Sequence, residues 1–377
     1  MSVSSTLRVN PHKYCVRSLL ALAMSAGLLA EPLLAQNGMA GGNRLISVDD
    51  FIGLDCTTSN GESGGLEYSV DSYDVIEFVC VAGGDEDPGQ GDGNPGGGKP
   101  GGDGVIQEVC DAGIVLNDDD PLNAAAAIEL CSGAQKSQLL HARHVRADGT
   151  PWVYTAQGGI TDAFGQNVTP RAGSRMFVLS SGRARDANDP EACNTHGCSG
   201  EGAGTPPPGF PQVVPGCATA ENIYDDVALE VTLRAPKNAK GFAFDFNFYS
   251  FEYPEYVCTD FNDQFVVLVD PPPTGSIDGN IAFDLQGNPV SVNLGHFDVC
   301  AGCEQGTTDL IGTGFDLWDD AGATGWLTTT APIKGGAEFT LRFVIWDTGD
   351  QSHDSTALID NFRWLTNSTT IGTQPSD

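Results

Sequence analysis

The sequence predicts a mainly β protein: an antiparallel β-sandwich of jelly-roll type, with one or two short helices and long loops rich in Gly, Pro and Cys. Three observations lead there. Phe242, Phe244, Phe246 and Phe248 alternate with Ala243, Asp245, Asn247 and Tyr249, a period of two that fits a strand with one buried face and excludes a helix. The C-terminal half reads as consecutive strands separated by Gly, Pro and Asn turns: Ala228–Leu233, Gly241–Tyr249, Gln264–Asp270, Ile281–Leu285, Val290–Leu294, Glu338–Trp346 and Thr356–Leu365. The 377 residues include 48 Gly and 22 Pro, which suits a loop-rich sandwich and disfavours a helical bundle. Burying the four phenylalanines is worth about 1.5 to 3 kcal/mol each before entropy, so their strand is expected at the centre of its sheet.

Taken in order, residues 1–35 have the layout of a secretory signal peptide. Arg8, Lys13 and Arg17 precede an apolar stretch from Leu19 to Ala30 and small residues ending near Ala35. After its removal no segment is long and apolar enough to span a membrane, so the expected location is extracellular or at the cell surface. Residues 36–82 form a small β segment of unassigned role, with Leu45–Leu54 and Tyr73–Val81 as strands. Residues 83–104 are a Gly, Pro and Asp linker that cannot bury enough apolar surface to offset its chain entropy. The main domain is expected over residues 105–365 and a flexible tail over 366–377. The domain opens on a helix capped by Asp120, with Pro121 at its first position and four alanines, Ala124 to Ala127, inside it. Residues 185–216 make a long Pro, Gly and Cys-rich excursion, and loops of that length are functional or disordered.

Cysteine usage agrees with export. Beyond Cys15 in the leader stand Cys56, Cys80, Cys110, Cys131, Cys193, Cys198, Cys217, Cys258, Cys300 and Cys303, an even set that reads as disulfides. Cys56 with Cys80 and Cys110 with Cys131 are the economical closures, and Cys258 is expected to find Cys300 or Cys303. The Cys300/Cys303 pair lacks the second pair a zinc site needs and the βαβ setting of a redox motif, so it too reads as structural.

Fifty Asp and Glu against 18 Lys and Arg give a net charge of −32. That charge repels nucleic acid and anionic membrane surfaces and attracts divalent cations or basic partners. Two acidic turns each follow an aromatic-rich strand. Asp260, Asn262 and Asp263 form the first; Asp347, Asp350 and Asp354 form the second. Calcium takes about six to eight oxygens, more than one short loop supplies, so two such loops brought together by antiparallel strands would make a Ca2+ site. Catalytic signals are weak. Glu252 and Glu255 could be a glycosidase pair, but such carboxylates stand on either side of a cleft. Ser180-Ser181-Gly182 has no catalytic partner that spacing identifies, and His141 and His144 lack the Glu of a zinc motif.

The run Phe244 to Tyr256, followed by Phe261, Asn262, Asp263, Gln264 and Phe265, resembles the hallmark of the choice-of-anchor L domain family of bacterial exported proteins. The Asp120–Leu130 helix, Phe164–Gly165, Pro170–Gly173, Met176–Gly182 and Asp354–Asp360 are similar to that family's order of elements, so the resemblance spans roughly 105–365. It implies an extracellular β-rich domain attached to cell surfaces. Two departures stand out: the Cys-rich insertion over 185–216, and an end, Thr369 to Asp377, with no hydrophobic tail, basic stop or sorting motif. The expected function is a non-catalytic, secreted or surface-associated interaction or structural module, calcium-stabilised, with an extracellular glycan or protein as partner. The alternative is an extracellular polysaccharide-acting hydrolase or a carbohydrate-binding protein.

Overall fold

The computed structural model describes residues 104–132, 139–284, 286–293, 296–317 and 320–376, together with the backbone of four short strands nearer the N-terminus. The chain divides into two compact units, Met1–Gly97 and Gly98–Asp377. In the first, β1 (Leu7–Val9), β2 (Asp55–Thr57), β3 (Ser63–Val70) and β4 (Ile76–Ala82) form an antiparallel sheet in the order β1-β4-β3-β2. The expected strand over Leu45–Leu54, most of the leader, and residues 83–103 of the linker lie outside the described residues. Cys56 and Cys80 fall on β2 and β4, whose side chains are likewise not described.

The second unit is the predicted sandwich of two antiparallel sheets. Its larger sheet runs β13 (Val299–Cys300), β14 (Gly322–Pro332), β10 (Gly241–Ser250), β16 (Ser355–Leu365), β8 (Met176–Ser180) and β7 (Gly158–Thr161). Two short strands complete it: β17 (Gly372–Pro375) on β14 and β5 (Val105–Ile106) on β16. The other sheet runs β12 (Val290–Ser291), β11 (Gln264–Asp270), β15 (Glu338–Thr348), β9 (Ile223–Arg234) and β6 (Leu139–Val145).

The phenylalanine strand is β10, held between β14 and β16. Its inward rings meet the facing sheet ring on ring: Phe242 on Phe339 at 5.5 Å, Phe244 edge-on to Phe343 at 5.1 Å, and Phe246 on Phe265 at 5.0 Å between centroids. Such contacts add to the apolar area each ring removes from water. Helix α1 (Pro121–Ala126) starts where the sequence places it, with the Asp120 carboxylate accepting from the Leu122 N–H at 2.9 Å. Ala124, Ala125, Ala127 and Ile128 enter the same core.

Several expectations are corrected. Of the expected strand Ile281–Leu285, the described residues Ile281–Asp284 form no strand, because the Asn280 side chain takes up the ladder: its Oδ1 accepts from Val267 N at 3.1 Å and from Ala282 N at 2.9 Å. Of the expected strand Val290–Leu294, β12 takes Val290 and Ser291, while Val292 and Asn293 leave it and Leu294 lies outside the described residues. The Thr-rich β14 went unforeseen. The tail expected to be flexible instead pairs through β17, with Thr373 buried against Thr329 at 2.7 Å. Cys110 does join Cys131, but Cys258 joins Cys217 with Cα atoms 4.4 Å apart, while Cys193–Cys198 and Cys300–Cys303 close on themselves. A close approach in the fold, not proximity in sequence, sets the Cys217–Cys258 link.

Phe244→Ala should cost about 3 to 5 kcal/mol, read as a lower urea midpoint with an unchanged m-value. A loss under about 1 kcal/mol would contradict the central packing of β10.

Candidate functional site

Topology brings the two acidic turns together. β10 and β16 are neighbours in one sheet, with Ser250 opposite Ser355, and β11 and β15 are neighbours in the other, with Gln264 opposite Trp346. The chain crosses between sheets twice at this end, from β10 to β11 and from β15 to β16. Antiparallel pairing of both strand couples forces the crossovers side by side. Their contact is close: a Cβ built on Gly349, whose φ is +96°, would stand 2.9 Å from the Phe261 ring and 3.4 Å from the Asp260 carbonyl oxygen.

Asp263 ties the crossovers. Its Oδ1 accepts from Thr348 N at 2.8 Å and its Oδ2 from the Ser355 hydroxyl at 2.7 Å, while its own N–H donates to Glu252 Oε2 at 3.2 Å. Around it lie three more buried carboxyl groups, Glu252, Asp347 and Asp354, each at most 3% exposed. Among the described residues none of these four has an ion-pair partner. Both Asp347 oxygens and Asp354 Oδ1 are buried without a hydrogen bond, and so is the Asn262 amide nitrogen. The nearby Ser181 hydroxyl bonds to Ser355, donating to its carbonyl at 3.3 Å and accepting its N–H at 2.9 Å, and also eases the charge on Asp347.

Burial is the first cause of every shift here, reinforced by mutual repulsion. Burial and then the Asp263 charge push Glu252 up to about 10. Asp263 rises to about 7, its rise limited by the bonds from Ser355 and Thr348. Asp347 is held well above the usual carboxylate range by burial, then by Asp263 and Asp354. Asp354 is held high by burial, against its bond from Cys198 N.

Of the residues singled out by sequence, Asn262, Asp263, Asp347 and Asp354 are buried at this end. Asp260 is exposed and contributes only its carbonyl, which accepts from Ala220 N. Asp350 is half-buried and closes its own turn through Ser352 N at 2.9 Å. Sequence reasoning missed Glu252 as a member of the cluster. It also missed Asp225, which is fully buried and whose charge reaches Asp347 and Asp354. A signal for Asp225 existed, since two adjacent aspartates, Asp225 and Asp226, interrupt an apolar strand. Asp226 is neutralised by Arg146 at 2.5 Å; Asp225 instead accepts from Gly202 N and, at 2.9 Å, from Gln351 Nε2.

The Cys-rich excursion seals this end. Cys198 N donates to Asp354 Oδ2 at 2.8 Å, and the His196 carbonyl accepts from Asp354 N at 2.7 Å. The His196 ring stacks on His353 at 5.1 Å. Further along, Phe210 packs edge-on to Trp346, and Gln212 and Gln264 exchange bonds of 3.0 and 2.7 Å. The Cys193 and Cys198 sulfurs and an Asp354 oxygen lie within 4.8 Å of one another, but the two sulfurs are bonded to each other, so the trio is not a metal centre.

The choice-of-anchor L domain matches residues 162–362, from just after β7 into β16, and the chain belongs to that family. No curated protein matches it. Among solved structures, the enzymatically active domain of tailspike protein 4 of bacteriophage CBA120 is similar at 10% identity and a TM-score of 0.20, over 60% of this chain and 19% of that one. The chain thus spans about a fifth of the tailspike domain's length, and a likeness this slight carries no argument about activity. No helix among the described residues is long and apolar enough to cross a membrane.

Gly182 lies directly against the acid cluster, where an added Cβ would come within 1.7 Å of Asp354 Oδ2. Gly182→Ala should lower stability by about 1 to 3 kcal/mol, whereas Gly372→Ala, with open space around it, should be near neutral. Thermal melts of the two variants check this, and equal melting temperatures would contradict the packing described.

Proposed function

We propose that this chain is a non-catalytic, exported module of the cell surface or extracellular matrix, stabilised by Ca2+ at the crossover end of its sandwich. The observation that carries the metal reading is Asp347: both carboxylate oxygens are buried with no donor well aligned on them, against Asp263 and beside Asp354. A buried carboxylate without a partner is costly, and carboxylates are kept in protein interiors when paired or bound to a metal. Asp347 and Asp354 would be the principal ligands. Asp263 and Glu252 have lone pairs to spare, and amide, carbonyl and water oxygens would complete a shell of about six to eight.

The non-catalytic reading draws on the same burial. Glu252 is sealed inside while Glu255 is exposed, so the pair does not face a polysaccharide across an open cleft. Family membership supports a surface-associated role, and the basic, then apolar, leader supports export. A net charge of −32 disfavours nucleic acid. Extracellular glycans or proteins, met through the loops, are the expected partners.

The test is a thermal melt of the mature protein in 1 mM Ca2+ and in chelator. Saturation near 100 times Kd adds about 2.7 kcal/mol, which for a domain of this size is a rise of about 5 to 10 °C. Asp347→Asn should abolish most of the response. A melting temperature indifferent to Ca2+ and chelator overturns the metal reading, and cleavage of a polysaccharide by the purified chain overturns the non-catalytic one.

A further inference from the structure

A second pair of buried carboxyl groups lies away from the crossover end. Glu129 follows α1 in the left-handed region, at a φ of +65°, and its side chain is 5% exposed. There it is in hydrogen-bonding contact with Asp360 of β16, which is fully buried. Asp360 is well supplied with donors: Arg171 N and Ala172 N reach its Oδ2, and Asn361 N reaches its Oδ1 at 2.6 Å. Neither Glu129 oxygen has a hydrogen-bond donor aligned on it, since Asn361 N, which lies close to both groups, points at Asp360.

Two carboxylates in contact inside a protein do not both ionise. Asp360, with three N–H groups, is the member built to carry charge; Glu129, with none, is the member built to keep its proton and donate it. We propose that Glu129 and Asp360 share one proton in a clasp that fastens the opening segment of the domain, residues 104–131, onto the closing strand, and that alkaline pH releases it.

The rest of that attachment is spread over separate contacts. β5 adds two residues to β16, Gln107 Nε2 donates to Asn361 Oδ1 at 2.7 Å and to the Phe362 carbonyl, and Phe362 N donates to the Ile128 carbonyl at 3.3 Å. Just beyond β16, Thr366 donates from its N and its hydroxyl to the Gly104 carbonyl at 2.6 and 3.0 Å, and the apolar face of α1 packs into the core. Among the described residues, charged groups face the clasp from two sides. Asp111, on the loop before α1, accepts from Ser174 N and raises Glu129 further. On the far side, Asp245 of β10 is engaged by Arg171, by Arg363 at 3.0 Å and by Asn361 Nδ2 at 2.7 Å. The cations are thus drawn to Asp245, and the proton stays with the pair. Burial first, then the Asp360 charge, puts Glu129 at about 10, and Asp360 rises to about 7 chiefly by burial.

The sign follows from linkage. Glu129 is raised in the folded chain above its ordinary 4.5, so its contribution is intact below pH 4.5 and is lost as pH climbs towards about 10, by up to tenfold in the folding equilibrium constant per pH unit. The experiment compares urea unfolding of the full chain and of Glu129→Gln from pH 5 to 10 at fixed Ca2+. Glutamine donates an N–H at every pH, so the variant should gain on the wild type by more than tenfold in folding constant over that range; parallel profiles overturn the proposal. Carboxyl 13C NMR of the wild type guards against a variant that fails to fold. One Glu resonance, which persists in Glu252→Gln, should stay protonated beyond pH 8. Titration of every such resonance near pH 4.5 would refute the clasp.

Discussion

Carboxylate charge placed inside the sandwich without an opposing cation is the constraint on which this structure turns. The chain buries Asp226 and Asp245 too, but each has its arginine: Arg146 for the first, Arg171 and Arg363 for the second. Glu252, Asp263, Asp347 and Asp354 have no such partner among the described residues. Backbone N–H groups and one serine hydroxyl neutralise part of Asp263 and Asp354; Asp347 has only the Ser181 hydroxyl close by, with no well-aligned bond. Protons or a divalent cation must supply the missing charge, because desolvation of several carboxylates at once exceeds what a marginally stable domain tolerates.

The fold explains both why these groups are inside and why they stay together. Pairing of β10 with β16 and of β11 with β15 leaves the two crossovers no separate course, so acids following either strand converge. The Cys193–Cys198 loop then closes over them, delivering Cys198 N to Asp354 and packing His196 against His353. The Cys193–Cys198 bond holds that loop in place across the cluster.

Much of this was legible in sequence, for identifiable reasons. Phe242 to Phe248 announce a central strand because a period of two in aromatic residues has no other folded use, and Asp120 with Pro121 announces a helix start. The convergence of the acidic turns could be inferred because each follows an aromatic strand. Which acids go inside could not: Asp260 and Asp263 differ by three positions in one turn, yet one is exposed and the other fully buried. Ile281–Leu285 has strand composition, but the Asn280 side chain pre-empts its ladder. β14 hid behind Ala, Gly and Thr, whose burial comes from neighbours and not from their own hydrophobicity. The clasp was invisible because Glu129 and Asp360 are far apart along the chain, and no spacing rule links them.

Equilibrium dialysis of the chelator-treated, mature chain against 45Ca2+ tests the central claim most directly, since it counts ions without relying on unfolding. The account predicts one tightly held ion per chain, with binding lost in Asp347→Asn while circular dichroism shows the sandwich intact. A folded wild-type chain that retains no Ca2+ at millimolar concentration, or an Asp347→Asn variant that binds as well as the wild type, would contradict it.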